Sequence, residues 1–349
     1  MSPSRPRRLV RRFASASATL VVRRFASATL PPSTRWIVAE ARKPPAFTND
    51  GRLRSGLNVL EPDRWLLSDA DDEEIIRSKR AALDDGNTRA SLYVTDDFPS
   101  TIAAESEAFA LIDEIAQVHA ISRAADRQPQ RAATSGTLVE AARHIREDLV
   151  LLRQHDDARA VMAAACVCFS FGQLPAKLGQ PLASIHRPVP GYEASLQRPL
   201  DRLFETLTPE KGFWRSNFEF RWTGELLHPS ARGDPNAKGD LTHVLEPADS
   251  SDAAPDDGTL RDNGLRGPRC MHLRVEYQTL RRLPRSRHIL FTIRSYIDPL
   301  SEIAASPAAA AALASRVEAL SDDFAEYKGI SRAMRPRIQQ YLQSGGAIV

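Results

Sequence analysis

Apolar residues recur at helical spacing through most of the first half of this chain and at strand spacing through much of the second. Over residues 101–125, Phe109, Ile112, Ile115 and Val118 fall on one stripe, which predicts a helix. Residues 69–83 carry acids early (Asp71, Asp72, Glu73, Glu74) and bases late (Arg77, Lys79, Arg80), an order that suits a helix dipole. Residues 138–152 read as helical at first and then extended. The apolar run 161–171 predicts a buried strand, and residues 196–207 a helix presenting Leu200, Leu203, Phe204 and Leu207. Residues 217–222 alternate strictly, with Phe218, Phe220 and Trp222 on one side and Asn217, Glu219 and Arg221 on the other. Residues 270–280 and 288–297 alternate again around 284–287, the mark of a hairpin. Residues 307–320 and 334–343 return to helical spacing. Antiparallel strands flanked by helices predict an α+β fold. No glycine fingerprint for a nucleotide is present.

Composition and charge narrow this picture. At 349 residues, 42% hydrophobic and 26% charged, the chain can build a packed core. The net charge of +3 is smaller than the charge of the N-terminal arginines alone, so a general nucleic-acid binder is not expected. No apolar run is long enough to cross a bilayer. Cys166, Cys168 and Cys270 have neither the number for a disulfide framework nor the spacing of a zinc or iron–sulfur site, which suits a reducing compartment. Before Trp36 there is no acid, while Arg5, Arg7, Arg8, Arg11, Arg12, Arg23 and Arg24 alternate with small and apolar residues. That is the composition of a mitochondrial transit peptide, or else of a basic tail on a cytoplasmic protein. Residues 1–35 are therefore set apart from a folded region spanning 36–349. Within it, residues 228–268 are rich in Asp, Pro, Gly and Ser and are expected to form a long mobile insertion.

Two stretches carry candidate chemistry. In LGQPLASIHRPVPGY (residues 178–192), Pro188 and Pro190 restrict the residues before them, so a short helix from Pro181 must end near His186. His186 then reads either as a neutral imidazole on a metal, such as haem iron, or as a helix-end cap; spacing alone favours the cap. In LRVEYQTLRRLP (residues 273–284), a period of two groups Arg274, Glu276 and Gln278 on one face with His272. On the following strand, Leu290, Thr292, Arg294 and Tyr296 share one face, and Ile289, Phe291 and Ile293 the other. The polar set is either a cavity wall, with Glu276 binding a cation or taking a proton, or a solvated face with cross-strand ion pairs. Arg215 and Asn217 open the aromatic strand, whose Trp214, Phe218, Phe220 and Trp222 wall a flat cofactor or fill a core. His119, His144, His155, His228 and His243 lack ligand spacing.

Taken in order, REDLVLL (146–152), the apolar strand to Phe169, KLGQPLASIHRPVPGY, RSNF, LRVEYQTLRRLP, ILFTIRSYIDPL and YKGI near Tyr327 resemble the α-subunit of haem-dependent oxidative N-demethylase and its fungal relatives. The resemblance spans about residues 57–330. It implies a PAS-like haem-binding fold and oxidation of a small alkylamine or other N-methyl compound. It also implies haem b, dioxygen, and electrons from a separate flavin, iron–sulfur or ferredoxin-type reductase. His186 matches the axial ligand of the family's IHxPVP motif. Glu276, Gln278, Arg281 and Arg282 match ExQTLRRLP, Arg294 and Tyr296 match the strand after it, and Asn217 matches RSNF. On this basis Glu276 and Tyr296 are expected at the reacting centre, and His186, Arg281, Arg282, Arg294, Asn217 and Gln278 around the cofactor. The chain departs from the family at Tyr277 (commonly Arg), at Phe218 (commonly Trp) and at CFSFG, residues 168–172. A competing implication of a PAS-like fold is a haem or small-ligand sensor without turnover.

Overall fold

The two longest alternating stretches fold as the central hairpin of an antiparallel sheet. The computed structural model describes residues 56–61, 64–69, 71–86, 92–123, 135–155, 159–169, 174–221, 224, 261–262, 265–266 and 271–346. In chain order these form β1 (Asn58–Leu60), α1 (Asp72–Asp84), β2 (Tyr93–Thr95), α2 (Pro99–Arg123), α3 (Leu138–Ala142), β3 (Asp148–Gln154) and β4 (Ala160–Cys166). Four short helices follow: α4 (Leu174–Lys177), α5 (Leu182–Ile185), α6 (Tyr192–Ser195) and α7 (Gln197–Thr206). Then come β5 (Gly212–Arg221), the two-residue strands β6 (Arg261–Asp262) and β7 (Leu265–Arg266), β8 (His272–Arg282) and β9 (Ile289–Pro299). The C-terminal helices are α8 (Leu300–Ala304), α9 (Pro307–Ala319), α10 (Asp322–Tyr327) and α11 (Met334–Gln343). The expected α+β class is what forms. The 1–35 segment lies outside the described residues. So does the expected 228–268 insertion, apart from the β6–β7 pair.

Seven strands run in the order β1-β5-β8-β9-β3-β4-β2, every neighbouring pair antiparallel. The β8–β9 turn spans residues 284–287, closed by the Leu283 N–H on His288 O at 2.8 Å. Arg287 adopts φ +62° there. Glu107 of α2 accepts the Arg285 and Ser286 N–H groups at 2.7 Å each, tying the turn to the long helix.

Two layers cover this sheet. On one face, Leu149, Leu151, Cys166, Trp214, Val275, Tyr277 and Leu290 pack against α2, α3, α9 and α11. Fully buried Ile112, Leu138, Leu313 and Ile338 come from those helices, each contributing roughly 1.5–3 kcal/mol of burial. A capping box starts α3: Thr137 accepts from the Glu140 N–H at 3.3 Å, and Glu140 accepts from the Thr137 N–H at 2.6 Å. Gly136 precedes it because a Cβ there would lie 2.7 Å from the Phe109 ring. On the other face, Val150, Leu152, Met162, Leu280 and Ile289 pack against Phe204, Leu207, Leu182 and Ile185 from the 174–207 segment.

The strand expected over 161–171 stops at Cys166. Asp148 explains the stop: its carboxylate takes the N–H groups of Cys168 at 2.7 Å and Phe169 at 3.0 Å, so the chain leaves the ladder.

Candidate functional site

Residues paired across an antiparallel ladder project from the same side of the sheet. Asn217 pairs with Glu276, and Glu276 with Ser295; Arg215 pairs with Gln278. All of these lie on the sheet face that also carries Phe213 and Leu280, part of which the 174–207 segment covers. Glu276 is buried, and both its oxygens are engaged. Arg274 donates to Oε1, while the amides of Asn217 and Gln278 donate to Oε2 at 3.0 and 2.6 Å. Arg274 is itself fixed by Ser295 Oγ at 2.7 Å, Phe169 O at 3.0 Å and Glu219 at 3.2 Å. Lys328, arriving from the end of α10, donates to Asn217 Oδ1. The neighbouring Lys328 O accepts the Phe220 N–H at 2.9 Å, which holds this segment on β5.

Burial would raise the Glu276 carboxyl, but the Arg274 charge outweighs it, helped by Asn217 and Lys328 against repulsion from Glu219; the net shift is downward. Glu276 is therefore a carboxylate at neutral pH. Tyr327 stands close by: burial, Glu219 and Glu276 push its phenol up to about 12, with Arg215 opposing.

His186 sits where the sequence places it, as the residue capping α5. Its Nδ1 bonds Leu182 O at 2.9 Å. That contact makes Nδ1 the donor and leaves Nε2 with a lone pair. Among the described residues Nε2 has no hydrogen-bond partner. The ring stacks on Tyr192 at 4.9 Å and 9°. Burial lowers its pKa, the Leu182 bond opposes, and the charges of Arg215 and Lys177 lower it further, so the imidazole is neutral. Arg215 projects from the Glu276 face of the sheet, and α5 packs on that same face. His186 and Glu276 thus lie on the same side of the sheet, with Arg215 within electrostatic reach of His186.

The residues fit a haem in kind. A neutral, backbone-fixed imidazole with a lone pair suits iron ligation, and Arg215 and Lys177 beside it suit anionic side chains of a porphyrin.

Register separates three other expected residues from this group. Arg294 pairs with Tyr277, Tyr296 with Val275, and Arg281 with Leu290, so all three face the helical core on the opposite side from Glu276. There Arg294 bonds Asp69 at 2.8 Å, Glu147 at 3.1 Å, Asp72 and Tyr296 Oη. Tyr296 donates to Asp69 at 2.9 Å. Arg146 joins the cluster through Asp71 at 2.9 Å and lies 4.7 Å over the Tyr296 ring. This network clamps the start of α1 onto the sheet. The oxygens of Asp69, Asp71 and Asp72 gather within 4.8 Å, but Arg146 and Arg294 already compensate them. Arg281 lies 4.1 Å over Trp65 in the same layer. Arg282 does face the Glu276 side, six residues further along β8.

Trp214 and Phe220 are core, as their spacing allows. Tyr277 and Phe218, where the chain departs from the family pattern, also project into the helical layer and away from Glu276. Arg274 was read from the sequence as part of the Glu276 face and Tyr327 as part of the YKGI motif, neither with a role of its own, whereas Lys328 and Asp148 were not singled out. The readable signal was a charged residue on an interior strand for Arg274 and the YKGI motif for the pair at 327–328.

The family described as "Haem-dependent oxidative N-demethylase, alpha subunit-like" matches residues 69–337, which span every element from α1 to the start of α11. The chain belongs to the haem-dependent oxidative N-demethylase, alpha subunit-like family.

Proposed function

We propose that this chain is a haem-dependent monooxygenase that removes a methyl group from a small alkylamine, in which His186 would hold the haem iron and Glu276 would be the substrate-binding carboxylate. The observation that carries the reading is the pairing of chemistries on one face of the sheet: a neutral imidazole whose Nε2 has no hydrogen-bond partner among the described residues, and a buried carboxylate held ionised. Bound haem supplies dioxygen activation, with electrons from a separate reductase, since the sequence has no flavin or iron–sulfur motif of its own.

Glu276 has a defined role in this reading. A dialkylamine is about as basic as a lysine side chain and is protonated at neutral pH. A carboxylate whose pKa is depressed is a weak proton acceptor and a good partner for that ammonium. Arg274, Asn217 and Gln278 fix the carboxylate in position while leaving acceptor capacity on Oε1. In this reading Arg294, Tyr296 and Arg281, which lie on the opposite face of the sheet, support the fold behind it.

The test is an absorbance spectrum and a turnover assay on the full chain produced with haem supply. A Soret band that vanishes in His186→Ala, together with formaldehyde release from dimethylamine given reductant and dioxygen, is the expected result. A Soret band without formaldehyde from any N-methyl amine would identify a sensor instead. Absence of the band would remove haem from the account. Residues 1–35 are proposed to direct the chain to mitochondria; a reporter fused to them that stayed in the cytosol would end that part of the reading.

A further inference from the structure

At the turn end of the central hairpin, a cleft of about 260 Å³ opens between the turn and the end of β3, lined in part by Arg153, Arg282, Arg287 and His288. It is remote from Glu276. Six residues of β8 separate Glu276 from Arg282, about 20 Å at roughly 3.3 Å per residue. Leu280, Ile289, Phe204 and Leu207 pack into the intervening face.

The cleft is poorly compensated for its charge. Arg282 is buried, and its guanidinium meets only neutral oxygens: Leu207 O and Arg287 O at 2.7 Å, Gln154 Oε1 at 2.9 Å, and Phe204 O. No carboxylate pairs with it among the described residues, and both burial and the Arg287 charge lower its pKa. A buried cation without a counter-ion is costly. Of the nearby acids, Asp96 is paired with Arg153 at 3.1 Å and Glu107 is taken by the turn and Arg285. Exposed Glu210 lies toward Arg287.

A second observation points to a ligand. His288 is only 4% exposed, and its Nε2 has no partner among the described residues. Its Nδ1 is engaged at 3.1 Å with Ser286 O, so Nδ1 is the donor and Nε2 an acceptor. Arg153 Nε is buried in the same wall without a hydrogen bond among the described residues. The cleft therefore offers guanidinium donors and one imidazole acceptor.

We propose that this cleft is a binding site for a protonated phosphate, an oxyanion that combines acceptor oxygens for the guanidinium groups with one P–OH donor for His288 Nε2. Sulfate has the same shape and charge class but no O–H at neutral pH, so the imidazole acceptor selects against it. The volume lies below the range of roughly 300–1,000 Å³ that holds drug-sized molecules, which suits a phosphate with little attached to it.

Calorimetric titration of the full chain with inorganic phosphate, glycerol phosphate and sulfate, at matched ionic strength, tests this. Phosphate is expected to bind at least about tenfold tighter than sulfate, the worth of one hydrogen bond involving an ion. In a titration at about pH 5.5, where a monoester also keeps its P–OH, glycerol phosphate binding as well as inorganic phosphate assigns the site to a monoester, and inorganic phosphate alone assigns it to the free ion. His288→Phe should erase the preference over sulfate. Arg287→Gly places glycine at a positive φ it favours, so the turn is retained while a charge is lost; phosphate affinity should fall about tenfold or more. Equal binding of phosphate and sulfate, no measurable phosphate binding, or unchanged affinity in Arg287→Gly overturns the proposal.

Discussion

Arg274 and Glu276 stand two residues apart on one strand, on one buried face, and their side chains bond directly to each other. The pair is the hub of the polar layer, since Arg274 also reaches Phe169 O and Ser295 Oγ while Glu276 collects Asn217 and Gln278. Removing one member leaves the other charged and buried. Arg274→Met is expected to cost about 3–5 kcal/mol in urea unfolding. The double variant Arg274→Met with Glu276→Leu should lose less than the sum of the two single changes, by about 1–3 kcal/mol. Additive losses would mean that the two groups do not stabilise each other.

The second face gives a contrasting expectation. Arg294 is compensated by Asp69, Asp72 and Glu147, so Arg294→Gln should also cost about 3–5 kcal/mol, because it leaves three acids facing one another. Its spectrum in protein that still folds at low temperature should match wild type, since nothing it touches lies in the His186 layer. Tyr296→Phe removes one hydroxyl bonded to Asp69 and should cost about 1–2 kcal/mol, with turnover near wild type. A haem spectrum altered by either change would return these residues to the site.

These two faces also mark what was legible in the sequence. Period-two alternation identified β8 and β9 and sorted each strand's side chains correctly. It did not say which set on β9 joins Glu276. That depends on the register through the turn, and a slip of one residue exchanges the whole set. The pairing Glu276↔Ser295 puts Ile293 beside Gln278 and sends Arg294 and Tyr296 to the back. His186 at a helix end was legible because proline acts locally. Lys328 on Asn217 was not, because 111 residues separate them and nothing in either segment encodes the meeting.

Glu276→Gln keeps the shape of the side chain and removes its charge. If the carboxylate holds an ammonium ion in both ground and transition states, KM for the amine should rise about tenfold or more while kcat changes less. Steady-state kinetics with dimethylamine provides the measurement. A fall in kcat at constant KM would make Glu276 a proton acceptor instead of a cation site.

Asp298 gives a pH dependence that is independent of any cofactor. It lies at the end of β9, and its Oδ2 is buried without a hydrogen bond among the described residues. Burial is the main cause of a carboxyl pKa raised to about 7; Glu302 adds repulsion, Arg146 offsets part of it, and Asp71 adds more. In the unfolded chain the same group titrates near 3.9. Between those values the folded state binds the extra proton, so the unfolded state carries fewer protons and stability falls as pH rises. Below about pH 4 both states are protonated and the group is neutral in its effect; above about pH 7 the penalty is complete. Asp298→Asn cannot ionise and should escape it. Its stability relative to wild type, measured by urea unfolding at intervals from pH 4 to 8, is expected to climb across that window and then level off. A difference that stays flat with pH would place the ordinary carboxylate value on Asp298 and refute the buried, repelled environment described for it.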